Sequence, residues 1–534
     1  MLRGCRLSRL GARCCVDSLQ LKGVVKMLFE LDAALEFSND IEGKKSEIEE
    51  VLTKADKELF KRGAPKGKEN EASTLKSWSI KGKILNVSIA SGRYVRATDA
   101  LLRLRNQLNI LGAKIKAGIR KIEIRKLEIK EIELGREPKA PVKIAFYVDS
   151  VEVKGDKADI KFSPLLPVEV VESGGVDRII ELVVEKVERQ EYEGKAEVKK
   201  LLWESKPRKM FFDKDPSLEL ESMNWIRRTH SKGQFVYGRN FTSLANALRE
   251  IIIENMYKPL GFREMIFPKF EPWDVPKKSG HAKSIYPDAY YVMVPKVSSP
   301  KEWEDTMDYF RITGEIHKES IMKKVESVGI LSYAQCPPFW QFLEGKIVKE
   351  ESLPLNVYDW SGPTYRNEAG GTHGIARVEE FHRAETLFIG SPEQVIKMAK
   401  EVENKLTFIL DELLELEVKK YSVVPWWMAQ EGDKKLSDNA TEGVGTVDFE
   451  AYLPYRGEKD KSEWLEIQNV SVIGEKYPKA FSVKSSKGEL WSGCGGGSFE
   501  RWICALLAQK GLEEKNWPAE VRKRVKIEDE VKFA

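Results

Sequence analysis

Two thiols and a carboxylate stand in unusual local company: Cys336 in YAQCPPFW, Glu385 in EFHRAE and Cys494 in LWSGCGGG. A free cysteine is ordinarily a small buried hydrophobe, and Cys504, on an apolar helix face, reads that way. Cys336 precedes two prolines and Cys494 sits in a glycine run, where a core residue has little to pack against. Two thiolates and one carboxylate would give zinc three protein ligands and leave a position open, as catalytic zinc sites do. None of the three has CxxC spacing, so spacing alone does not fix a metal. Arginines and glycines form a second group. TYRNEAGGTHGIARVEEFHRAE (364–385) opens with Arg366-x-Glu368, crosses a glycine-bearing loop and returns through alternating Val378, Glu380, His382 and Ala384, the pattern of a strand. A strand–loop–strand with arginines at both ends suits a nucleoside triphosphate. GCGGGSFERW (493–502) puts glycines before Glu500, Arg501 and an apolar helix. Its backbone can approach a phosphate closely, and Arg501 can supply a fixed guanidinium fork. Neither a GxxxxGKS loop nor a GxGxxG fingerprint is present.

Elements that could position these groups follow from the pattern. At 534 residues, two or three domains are expected, and 42% hydrophobic with 32% charged residues describes a soluble globular chain. No run of eighteen apolar residues occurs, so no transmembrane helix is expected. Residues 41–62 have a helical period stopped at Gly63-Ala64-Pro65. LKSWSIKG and KILNVSIASG read as two strands joined by a Lys-Gly turn. An amphipathic helix (Ala100, Leu101, Leu104, Leu108, Leu111) then ends at Gly112, and IEIRKLEIK alternates like a strand. A helix from about Asp177 to Gln190 reads as a connector. KEWEDTMDYFRITGEIHKESIMKKVESVGIL reads as a helical insertion before YAQCPPFW. The overall charge of +4 hides an asymmetry: residues 73–126 carry thirteen Lys or Arg against Asp99 and Glu123. A solvated surface is the bland reading, and a polyanion-binding face the functional one. Three of the six cysteines fall in the first 26 residues, which is no disulfide framework and points to a reducing, cytoplasmic setting. Residues 1–26 alternate Arg and Leu and are set aside as an extension upstream of Met27.

In this order and at this separation, the two arginine–glycine segments resemble motifs 2 and 3 of class II aminoacyl-tRNA synthetases. FTSLANALREIIIENMYKPLGFREMIFPKF, a long helix, a Pro-Leu-Gly break and a strand ending at Pro268, resembles motif 1, the dimer interface of that class. SGHAKSIYP, YAQCPPFW, EFHRAE, PWWMAQEG, WLEIQNVS and ELWSGCGGG together resemble the methanogenic (archaeal, type-2) form of seryl-tRNA synthetase, from about Met27 to the C-terminus. The resemblance implies an α+β chain: an antiparallel-sheet-and-helix tRNA-binding domain at 27–196, then a class II catalytic domain at 206–534.

It also implies site residues. Cys336, Glu385 and Cys494 would bind Zn2+, with the amino group of L-serine at the open position. ATP, with Mg2+, would meet Arg366, Asn367, Glu368, Arg377, Val378, Phe381, Glu466 and Arg501, of which Arg366 and Arg501 carry the catalysis. Serine would meet Ala334, Arg366, Arg383, Trp426, Gln430 and Asn469. Aromatic and small residues also pack cores, so Phe381, Trp426 and Ala334 keep a packing reading beside this one. Arg103, Arg105 and Arg120 would contact tRNA, although Asn106 stands where the resemblance places a basic residue. The implied activity is serine–tRNA ligase, on tRNA(Ser) and also tRNA(Sec), in a cytoplasmic homodimer with no membrane contact. The alternative is an amino acid:carrier-protein ligase with the same zinc core and no tRNA-binding domain. The basic module argues against it.

Overall fold

The computed structural model describes residues 27–532, apart from 93, 165, 193–198, 369–370 and 424–444. Residues 1–26, Trp426 and Gln430 lie outside the described residues. The chain divides into two compact units, 1–195 and 196–534.

Alternation of apolar and charged residues builds the first unit. Its strands are β1 (Leu28–Phe37), β2 (Ser73–Lys81), β3 (Ile84–Ser91), β4 (Ile119–Glu133), β5 (Val148–Lys154) and β6 (Lys157–Phe162). They form one antiparallel sheet in the order β2-β3-β1-β4-β6-β5. Helices α1 (Lys45–Lys54), α2 (Ala97–Ile115) and α3 (Gly175–Tyr192) contribute apolar stripes to its core. Two expectations need correction. α2 runs past Gly112 to Ile115 and ends at Lys116 in the left-handed conformation, φ 56°. Gly112 serves packing instead, since a Cβ there would lie 2.6 Å from the Ala117 carbonyl oxygen. α3 is no free connector: Val176, Ile179, Ile180, Val183 and Val187 are buried in this unit's core.

In the second unit, α4 (Arg239–Ile252) precedes β8 (Arg263–Glu264), which pairs in parallel with β12 (Leu355–Asp359). The strand expected to end at Pro268 is thus two residues long. Beyond it, β9 (Phe270–Pro272), β10 (Tyr291–Pro295) and β11 (Val325–Leu331) form a separate antiparallel sheet in the order β9-β11-β10. The helical insertion is α5 (Glu304–Thr313) and α6 (Lys318–Lys324), between β10 and β11. The large sheet adds β7 (Lys199–Glu204), β13 (Pro363–Tyr365), β14 (Glu380–Gly390), β15 (Val418–Val423), β16 (Gly445–Ala451), β17 (Leu465–Gly474) and β18 (Trp491–Ser498). Its order is β8-β12-β14-β18-β17-β16-β15-β7, with β13 paired to β14. Helices α7 (Pro392–Phe408) and α8 (Phe499–Lys510) pack their apolar faces on it, burying Val402, Leu406, Ile503 and Leu506 against Phe388 and Phe449. Among the described residues no helix is long and apolar enough to cross a membrane.

Candidate active site

The large sheet sets the site because strands distant in sequence present alternate side chains to one cleft. β13 and β14 pair with Thr364 opposite Phe381 and Tyr365 opposite Glu380, so the segment opening at Arg366 turns back on itself as expected. The odd-numbered side chains of β14 (Phe381, Arg383, Glu385) line the cleft. Their even-numbered neighbour His382 faces Glu500, with Nδ1 2.8 Å from Oε1. β18 lies between β14 and β17, with Gly496 opposite both Glu385 and Asn469. The glycine run is a central strand whose missing side chains make room for neighbours, and Gly496 and Gly497 line the cleft. A Cβ on Gly496 would lie 2.1 Å from Arg383 Nε, and one on Gly493 2.1 Å from the Phe388 ring. At the end of β18, Ser498 caps α8 by accepting from the Arg501 N–H at 3.4 Å.

Cys336, Glu385 and Cys494 converge: one ligand atom from each lies within 4.8 Å of the others. The two sulfurs are 3.7 Å apart. A disulfide would need about 2.05 Å. Two Zn–S bonds of about 2.3 Å at a tetrahedral angle place sulfurs about 3.8 Å apart, so the spacing suits zinc. Cys336 and Glu385 are buried, and the Arg383 guanidinium lies 2.6 Å from Glu385. Cys494 beside it, and then burial, push the Cys336 thiol well above its ordinary value. Burial, only partly offset by Arg383, lifts the Glu385 carboxyl above its usual range. A divalent cation would draw Cys336 and Glu385, both of which resist ionising, into their charged, ligating form beside Cys494.

The same cleft carries the arginines. Arg366 stacks over the Tyr333 ring at 4.5 Å and its Nε lies 3.5 Å from the Tyr333 carbonyl oxygen. Arg501 donates to the Glu466 carbonyl oxygen at 2.8 Å and lies 3.4 Å from its carboxylate. Glu368, Val378, Phe381, Ala334 and Asn469 line the cleft as well, and Asn469 Oδ1 accepts from the Gly496 N–H at 3.1 Å. Two nominated residues do not line it. Asn367 donates to the Pro287 carbonyl oxygen at 2.8 Å, and Arg377 Nε holds Glu368 Oε2 at 2.7 Å. Sequence reading missed Tyr333, Ser471 and Tyr477 as lining residues: Tyr333 and Ser471 lie within YAQCPPFW and WLEIQNVS but carry no mark of their own, and Tyr477 lies in no such segment and is brought in by packing alone. His281, within SGHAKSIYP, also lines the cleft; burial pushes it down to about 3, so it is neutral at pH 7.

In the first unit the three nominated arginines differ. Arg103 donates to the carbonyl oxygens of Leu59 and Arg62 at 3.1 and 2.8 Å. Arg105 is paired with Glu172. Arg120 is exposed, as are Lys114, Lys116 and Lys121.

Comparison with known proteins bears on both units. Residues 27–185 match the model of a tRNA-binding domain, and residues 324–510 that of the class II tRNA synthetase core domain (G, H, P, S and T). The chain is 42% identical over 508 residues to the type-2 serine–tRNA ligase of Methanococcoides burtonii, covering 94% of this chain and 98% of that one. It is 43% identical over 509 residues to that of Methanothrix thermoacetophila, covering 93% and 98%. The crystal structure of M. kandleri SerRS in complex with A. aeolicus tRNASec superposes with a TM-score of 0.78 at 29% identity, covering 93% of this chain and 96% of that one. A synthetase core bearing paired arginines, preceded by a matched tRNA-binding domain, leaves no place for the carrier-protein alternative. The chain belongs to the type-2 serine–tRNA ligases, class II aminoacyl-tRNA synthetases with an N-terminal tRNA-binding domain.

Proposed function

We propose that this ligase activates L-serine with Mg2+-ATP to seryl-adenylate and transfers it to tRNA(Ser) and tRNA(Sec), with a zinc ion held by Cys336, Glu385 and Cys494. The carrying observation is that the three donors meet within 4.8 Å on the wall of the cleft that also holds Arg366 and Arg501. When bound, the ion supplies a Lewis-acid seat for an amino group with a free lone pair. Arg383, locked to Glu385, fixes that ligand's orientation and borders the serine. Arg366, propped on Tyr333, approaches the carboxylate and α-phosphate, and Arg501 clamps the polyphosphate. As the serine carboxylate attacks phosphorus and pyrophosphate leaves, these fixed guanidinium groups spread the developing charge without reorganising. Glu466 would hold Mg2+, Glu368 (held by Arg377) meets adenine with Val378 beside it, and Phe381 stacks on the ring, whereas Asn367 would have to leave the Pro287 carbonyl to join them. Ala334 and Asn469 close the serine pocket, and Trp426 and Gln430 are assigned to serine on the family resemblance alone.

Exposed Arg120 supports an RNA-facing role for the basic stretch in the first unit. Arg103 and Arg105 would have to leave their intradomain partners to join it. The tRNA(Sec) part is supported by the M. kandleri complex, and the homodimer and the cytoplasm by the class II resemblance and the reduced thiols. Charging assays with transcripts of both tRNAs test the reading. Seryl transfer to both is expected, and charging of neither by the zinc-loaded enzyme would overturn it.

A further inference from the structure

A fully buried carboxyl group stands behind the serine end of the cleft with no part in the chemistry above. Glu271 lies mid-strand in β9, opposite Ile330 of β11. Alternation turns Phe270 outward, 38% exposed, and Glu271 inward, 0% exposed. Neither carboxyl oxygen completes a hydrogen bond of full geometry. A buried polar group left in that state is costly and calls for a reason. The strand pair behind it is tight, since a Cβ on Gly329 would lie 2.0 Å from the Glu271 carbonyl oxygen.

What Glu271 faces is the Ser332 hydroxyl and the backbone N–H groups of Tyr333 and Ala334, which together favour its charge. Burial outweighs them and pushes the carboxyl up to about 8. No charged side chain acts on it: Lys269, two residues earlier, is taken by Asp359, and Arg366 lies over the Tyr333 ring. The faced segment is the one that forms the pocket. Ser332 Oγ donates to the Ala334 carbonyl oxygen at 3.1 Å, Tyr333 carries Arg366, and Cys336 follows two residues after Ala334.

The geometry points to Glu271 as a positioning residue for serine, a carboxyl group wedged behind residues 332–336 that sets where Ala334 and Cys336 meet the substrate. The inference rests on the serine reading above. A protonated carboxyl offers one acceptor and one donor, and a glutamine amide offers the same two in the same place. Leucine fills the volume with neither, and aspartate withdraws the group by one methylene.

The test is pyrophosphate exchange in the full-length protein with serine and ATP varied separately, alongside melting curves. Glu271→Gln should keep both KM values within about twofold of wild type. Glu271→Leu and Glu271→Asp should raise the serine KM about tenfold or more while the ATP KM stays within about twofold. A folded Leu or Asp variant with an unchanged serine KM would overturn the inference, and so would serine and ATP KM values rising together. Unfolding of both variants would make Glu271 a group that only stabilises the fold, overturning it as well. Wild-type protein that fails to exchange with serine would count against the serine reading and not against this residue's role.

Discussion

Gly496→Ala should cripple serine activation through a single added methyl. In β18 the new Cβ would lie 2.1 Å from Arg383 Nε and 2.6 Å from its Cζ and Nη2. A flexible side chain would simply move aside, but Arg383 is held, its side chain 16% exposed and its Nε 2.6 Å from Glu385 Oε2. Displacing it breaks a charge-assisted hydrogen bond and leaves a carboxylate buried without its partner. Losing a hydrogen bond to a charged group costs about 1.5–3 kcal/mol. At about 1.4 kcal/mol per tenfold, serine-dependent kcat/KM should fall about 10- to 150-fold. Pyrophosphate exchange reads this directly, with the ATP KM and the melting temperature as controls. Gly445→Ala, which meets no atom within 4 Å in the same sheet, should behave as wild type. A folded Gly496→Ala enzyme with serine kcat/KM within about twofold of wild type would refute the reasoning, because the Arg383–Glu385 contact would then not position serine.

Cys336→Ser should lose the bound metal and serine-dependent exchange together while still binding ATP, read by metal analysis and calorimetry; stoichiometric zinc with normal exchange would reject the ligand assignment. Arg120→Glu should weaken tRNA binding, flatten the log–log salt dependence by about one, and leave exchange unchanged, whereas Arg103→Glu should lower the melting temperature by releasing the Leu59 and Arg62 carbonyls. The raised Glu271 carboxyl favours the fold at low pH, and that stability is lost as pH climbs from about 4.5 through about 8. The melting temperature of Glu271→Gln relative to wild type should therefore rise across that window and level off above it; a pH-independent difference would contradict the shift.

Chemistry-bearing side chains were legible because each sits in a segment that is odd on its own terms. Cys336 before two prolines and Cys494 among glycines are poor core residues, and the structure joins them across 158 positions. Arg366-x-Glu368 with its returning strand could be read because a β alternation fixes which side chains share a face. What escaped was decided by neighbours absent from any local pattern. Gly112 looked like a helix stop, yet it is kept small by the Ala117 carbonyl, and α2 continues. The glycines at 493–497 carry no alternation from which a strand could be read, and they are a strand thinned to admit Arg383 and Phe388 from β14. Charge counting marked Arg103 and Arg105 with Arg120, and could not show that two of the three are occupied by partners within their own unit. Glu271 left no trace in sequence, since a strand of three residues carries no readable alternation.

Pyrophosphate exchange across the twenty amino acids, run on zinc-loaded enzyme, on enzyme stripped by a chelator and on stripped enzyme given zinc back, tests the central claim most directly. Serine alone should drive exchange, the activity should vanish on stripping, and one equivalent of zinc per chain should restore it. Equal serine exchange in the stripped enzyme, or exchange driven by another amino acid in the loaded one, would contradict the account.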